Sequence, residues 1–344
     1  MLQAVNSKTA VSDSGGRFHN PGYHEPMFPP DPLLLHTALA HEADFYPLGF
    51  TLHVATNSPQ VLYVARESWG ESKPEFPVPP IEMRLVMVEE NAPAPPRNMP
   101  VYRSQQNLFL VAVDQQNFGV CDFDRGRIVA WMTPAVLANP FFQLQMLEWM
   151  VYFTIDNLYI AIIHAACVAR NGHGLLLCGT SGAGKSCLTY ACVKSGWTLV
   201  ADDFCASIRG RNDRMVIGRA ERIRFRPEAA SLFPELAHLP TVAAPNGKPT
   251  IELKASRIPG LHTSALCSAE AVVFLERDHA GPVRLLPISV EDALARIESD
   301  QPRWRASTDH AQRQARSAIL SHGAHILRYW NFAEAINLLD TLLG

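Results

Sequence analysis

Eight consecutive residues, Gly179-Thr180-Ser181-Gly182-Ala183-Gly184-Lys185-Ser186, fit the spacing G-x-x-x-x-G-K-[ST] at every fixed position. The residue types explain themselves chemically. Glycines let successive backbone N–H groups close around phosphate oxygens, and the start of a following helix adds its positive dipole end. A lysine at position 185 reaches β- and γ-phosphates as an accessible ligand, and the Ser186 hydroxyl ligates magnesium. Cys187, the next residue, is taken with Gly179 to Ser186 as the nucleotide-contacting stretch. The cofactors expected are therefore ATP and Mg2+.

A second group follows at Asp202-Asp203, directly after the apolar run Leu199-Val200-Ala201. Carboxylates at the carboxyl end of a strand lie where ligands of open α/β sheets bind. Two of them can divide the labour: one holds the metal and the other takes the proton of an attacking hydroxyl. Further on, Arg222, Arg224 and Arg226 alternate with Ile223 and Phe225, so a strand here puts three guanidinium groups on one face. Such a row suits a transferring phosphoryl group or an acidic peptide. Arg222, the first in the chain, is taken as the candidate phosphate contact.

These residues need a frame. The run Gly174-Leu175-Leu176-Leu177-Cys178 reads as a central strand buried on both faces, the glycine-rich stretch as a loop, Lys185 to Ser195 as a helix ending at Gly196, and Thr198 to Ala201 as the next strand. Strand, loop, helix, strand is the order the motif requires. Ile160 to Ala169 reads as one buried strand before it, and Ala271 to Leu275 as a short strand after it. A hairpin turns at Asn246-Gly247. Helices begin with capping signals at Ser289 with Asp292 and at Asn331 with Glu334, on either side of the strand-like Ala324 to Trp330.

Upstream, Phe50 to Val54, Ile81 to Val88 and Asn107 to Val113 have strand character, as does a hairpin turning at Asp124-Arg125-Gly126. Ser58 to Trp69 and Pro140 to Tyr159 read as helices. Residues 1–33 and Ala92 to Pro100 are proline-rich and without apolar periodicity, which predicts a mobile arm and a loop. The expected organisation is a flexible arm over 1–33, a small α+β accessory domain over 34–135, and a catalytic domain over 136–344.

Composition limits the alternatives. The chain has 344 residues, 47% hydrophobic, with a net charge of −3. There is no overall attraction for nucleic acid or an anionic membrane. The seven cysteines are scattered, several inside apolar runs, as buried reduced thiols are. Met146 to Ala169, the most apolar stretch, is interrupted by Glu148, Asp156, Asn157 and His164. A cytoplasmic protein is expected, as a possible homo-oligomer, with no nucleic-acid or membrane partner.

The order Ile163-His164-Ala165-Ala166, the loop GTSGAGKS, Lys194-Ser195-Gly196-Trp197 and Leu199-Val200-Ala201-Asp202-Asp203 resembles the HPr kinase/phosphorylase family, in particular the HPr-kinase-related serine kinases. The resemblance implies an α/β fold, with a P-loop kinase domain of the HPr kinase/phosphoenolpyruvate carboxykinase type. It implies Asp202 as general base, Asp203 as a metal-associated carboxylate, and His164 as a residue that orients the acidic group. The family's downstream stretch resembling L-E-I-R-G-x-G has only a faint echo in Ile251-Glu252-Leu253-Lys254. The expected activity is phosphorylation of a serine- or threonine-type hydroxyl on a peptide, protein or small metabolite, in the forward direction only. The alternative is a non-catalytic ATP-gated binding module. A GTPase or transport ATPase is disfavoured, since neither N-K-x-D nor L-S-G-G-Q occurs.

Overall fold

The structure, a computed structural model, describes residues 31, 33–70, 72–88, 100–211, 213–244, 247–299 and 306–343. Nearly all of the expected arm, the proline-rich loop as far as residue 99, and Asn246 of the expected turn lie outside the described residues. Leu39–Gly344 form one compact unit, distinct from Met1–Ala38. Two large sheets organise it in a mixed α/β fold.

The first sheet contains β1 (His41–Phe45), β2 (Leu52–Thr56), β3 (Ile81–Met87), β4 (Val101–Gln105), β5 (Leu108–Ala112), β6 (Phe118–Asp122) and β7 (Arg127–Met132), in the order β1-β2-β3-β7-β6-β5-β4. Helix α1 (Pro59–Trp69) connects the parallel strands β2 and β3, started by the Ser58 side chain accepting from the Gln60 N–H. β2 begins at Leu52 rather than Phe50, because Pro47–Gly49 make a 3-10 turn that the Phe50 N–H closes. β1 and β4 were not expected; both are edge strands rich in polar residues. Over β6 and β7 lies a nearly continuous helical segment that passes through π geometry at Gln143–Glu148 before α2 (Trp149–Leu158). Most of α2 is buried, and the same core takes in Ile160, Ala206 and Ile217 of the next sheet.

That second sheet is built from β8 (Ile160–Ile163), β9 (Ala165–Arg170), β10 (His173–Cys178), β11 (Thr198–Ala201), β12 (Cys205–Ile208), β13 (Met215–Gly218) and β17 (Leu266–Arg277). Their order is β11-β9-β10-β17-β13-β12-β8, with β19 (Ala324–Tyr329) pairing β17 and β18 (Arg284–Ile288) pairing β19. A three-stranded sheet, β14 (Arg222–Phe225), β16 (Pro249–Lys254) and β15 (Thr241–Ala243), stands beside it, and β15 and β16 form the expected hairpin. Helices α3 (Lys185–Lys194), α4 (Val290–Ser299), α5 (Ala306–Ile319) and α6 (Phe332–Asp340) complete the unit. The Ser289 hydroxyl caps α4 and Asn331 caps α6.

Three expectations need correction. Ile160 to Ala169 is two strands, because β8 pairs β12 while β9 pairs β10 and β11, and the chain changes neighbours at His164. β17 has 12 residues rather than five. The apolar run Ala271 to Leu275 covers only part of its length. Its first part pairs β13 and its last part pairs β19. Finally, α5 was not foreseen.

β10 lies between β9 and β17, and one glycine fixes how closely they pack. A Cβ at Gly174 would fall 2.4 Å from the Cys267 sulfur and 3.3 Å from that of Cys167. The two thiols meet over the glycine, 3.5 Å apart, and both are buried.

Candidate functional site

β10 runs parallel to β17 and antiparallel to β9, and β9 is antiparallel to β11, so β10 and β11 point the same way with β9 between them. The connection through α3 therefore brings Gly179 to Ser186 and Asp202-Asp203 to one end of the sheet. In the loop, Gly179, Gly182 and Gly184 have φ of +154°, +94° and +94°, values that favour glycine. Space enforces the last: a Cβ at Gly184 would lie 2.5 Å from the Tyr329 hydroxyl and 2.9 Å from Arg277 Nε. The Tyr329 hydroxyl donates to the Ala183 carbonyl at 3.1 Å, fastening the loop to β19.

Lys185 is largely enclosed rather than accessible, because its ammonium turns back and donates to the Gly179 carbonyl at 2.6 Å. Cys187 is half-buried on the first turn of α3, where burial raises its thiol pKa and nearby Arg277 opposes the rise.

The two acidic residues differ sharply. Asp202 is 6% exposed, and its Oδ2 accepts the backbone N–H of Arg224 at 2.8 Å. Its Oδ1 is buried without a well-formed hydrogen bond. Burial pushes its pKa up to about 7, opposed by the Arg224 amide and the Ser186 hydroxyl and reinforced by Asp203. Asp203 has a side chain 70% exposed, and His164 Nε2 lies 2.8 Å from its Oδ1. Partial desolvation by its surroundings works against ionisation, but the His164 hydrogen bond and charge, with Lys185 and Arg224 behind them, hold its carboxyl below the usual range. His164 reaches Asp203 because it occupies the step between β8 and β9 instead of a place within a strand.

The row of arginines separates as well. Arg222 and Arg224 both pair with Glu252 of β16, at 3.0 and 3.2 Å. It is Arg226, just past the end of β14, that reaches the loop, with Nη2 2.9 Å from the Ser181 hydroxyl. Sequence reasoning named Arg226 in the row but chose Arg222. It missed Arg277 and Tyr329 altogether.

The residues fit a nucleotide phosphate: a loop with glycine-only backbone, a lysine at its mouth and a hydroxyl on the first helical turn. They also fit magnesium carried with the nucleotide. Among the described residues no cluster of three or more His, Cys, Asp or Glu side chains is set to hold a metal by itself. Magnesium is commonly held by one or two protein oxygens plus phosphate, and Ser186 and Asp203 offer that set.

Residues 159–226 match the family described as HPr Serine kinase C-terminal domain, a span that includes His164, the loop, both aspartates and all three arginines. Over this segment, about a fifth of its length, the chain is similar to that family. Among solved structures, the Hpr(Ser) kinase/phosphatase from Coxiella burnetii is similar at 14% identity and a TM-score of 0.31, over 53% of this chain and 87% of that one. No curated protein matches. Among the described residues, no helix is long and apolar enough to cross a membrane.

Proposed function

We propose that the protein is an ATP- and magnesium-dependent kinase that phosphorylates a serine- or threonine-type hydroxyl of a peptide, protein or small metabolite. The observation that carries the reading is Asp202, a buried carboxylate at the rim beside Ser186, one oxygen bonded to a backbone amide and the other without a well-formed hydrogen bond. Leaving a buried acceptor unsatisfied is costly, and sites that do so are commonly sites of chemistry. With its pKa near neutrality, Asp202 suits a general base.

ATP, when bound with magnesium, supplies the phosphoryl group and a counter-charge for its transfer. The chain's own residues do the rest. The loop amides and Lys185 hold the phosphates, and Ser186 and Asp203 hold the metal. Arg226 adds positive charge at Ser181 of the loop. Asp202 Oδ1 takes the proton of the acceptor hydroxyl, while His164 keeps Asp203 ionised and oriented. Arg222, engaged with Glu252, is assigned to holding β14 against β16.

Incubation with γ-labelled ATP, magnesium and a panel of serine-containing peptides and cell-extract fractions tests the reading. Label on an acceptor hydroxyl, lost in Asp202→Asn, is the expected result. Nucleotide binding without transfer to any acceptor would favour the ATP-gated module.

A further inference from the structure

The parallel strands β10, β17 and β19 end at a common rim: β10 at Cys178, β17 at Arg277 and β19 at Tyr329. Ligands of such sheets lie beyond these carboxyl ends. The loop accounts for the first end. The other two carry a cation and an aromatic ring whose residues are register partners.

The guanidinium carbon of Arg277 lies 4.8 Å from the Tyr329 ring centroid and 5.1 Å from that of Phe332. Those centroids are 6.2 Å apart, too close for the rings to sandwich the guanidinium, so they back it from one side. Its sequence neighbour Glu276 is taken by Arg328 and Arg296, and among the described residues no carboxylate forms an ion pair with Arg277. The cation is nonetheless fixed, because Tyr329 is hydrogen-bonded to the loop and Arg277 Nε packs against Gly184. Its charge also acts on the Cys187 thiol, one residue beyond Ser186 on the first turn of α3.

We propose that Arg277 is the base contact of the nucleotide site: its guanidinium plane, backed by Tyr329 and Phe332, stacks on the purine while the loop takes the phosphates. A planar cation supported by rings on one side offers its other face to a π-system. The proposal rests on the reading of the loop as an ATP site and adds to it a residue that distinguishes a nucleotide from a bare polyphosphate.

Calorimetric titration of the full chain with magnesium ATP and, separately, with magnesium tripolyphosphate tests it. Arg277→Ala should weaken ATP at least tenfold and leave tripolyphosphate within twofold. Arg277→Lys keeps the charge and loses the plane, so it should show the same selective loss, and it serves if the alanine variant does not fold. Equal weakening of both ligands, or of neither, overturns the proposal while leaving the loop as a phosphate site. A wild-type protein that binds neither ligand would overturn the kinase reading, and this proposal with it.

Discussion

Asp156 and Asp202 are both buried carboxylates, 3% and 6% exposed, in regions that use burial differently. Asp156 lies on α2, where the first sheet's core meets α5. Its Oδ1 accepts the Ile162 N–H and its Oδ2 the Gln312 side-chain amide, each at 2.9 Å, while Arg316 nearby donates to the Ile162 carbonyl. Burial lifts its pKa to about 6, against the pull of Ile162, Arg316 and Gln312. Both oxygens are occupied in holding elements together. Asp202 has one backbone amide and an open oxygen at the loop. Burial alone therefore does not separate the two carboxylates; the oxygen left open beside the loop does.

The comparison breaks first at the loop. Lys185→Ala should lower ATP turnover on the order of a thousandfold, as loss of a positioned phosphate ligand does, with thermal unfolding little changed. Steady-state kinetics beside a melting curve checks this, and retained turnover would remove the site from this end of the sheet.

Between the two aspartates, Asp202→Asn should cut transfer by about a hundredfold or more at unchanged nucleotide affinity, because the amide keeps the Arg224 hydrogen bond but takes no proton. Asp156→Asn should stay within about twofold of wild type in the same assay. Similar losses in both would mean that the open oxygen is not what matters.

Stability should order them the other way. Asp156→Ala strands the Ile162 N–H and the Gln312 amide and is expected to cost about 2–4 kcal/mol in urea unfolding. A cost under about 0.5 kcal/mol would show that the joint does not depend on it.

The last expected difference is in pH. Folded Asp202 holds its proton up to about pH 7, whereas the unfolded chain releases it near 3.8. Below 3.8 both states hold the proton and the stability of the neutral group is fully present; between 3.8 and 7 the folded state binds more protons, so stability falls as pH rises and levels off above about 7. Asp202→Asn lacks this fall. Its stability relative to wild type should therefore increase from pH 4.5 to pH 7.5 and then level off, and parallel curves would contradict the raised pKa.

The sequence made the loop and acidic pair readable because their chemistry is local. Glycine types report the backbone angles, and Asp202-Asp203 follow a recognisable strand. What it hid depends on distant partners. Arg226, rather than Arg222, faces the loop because Glu252, some thirty residues on, engages Arg222 and Arg224. The step at His164 arises because β8 and β9 pair different strands. Helix α5 buries Gln312 and Arg316 as well as Ala315 and Ile319, so no clean apolar stripe announces it. Arg277 carries no motif, and only the parallel pairing of β17 with β10 brings it to the rim.

Gly174 makes the two thiols beside it a gauge of the strand that carries the loop. Cys167 and Cys267 are near enough to touch, yet they sit on β9 and β17, with β10 between the two backbones. A relaxed disulfide spans about 7 Å at most between Cα atoms. The pair should thus resist cross-linking by a mild oxidant while β10 stays between them. A Cys167–Cys267 bond found by mass spectrometry would mark molecules whose β10 had already left the sheet, and its rate of appearance would time that departure.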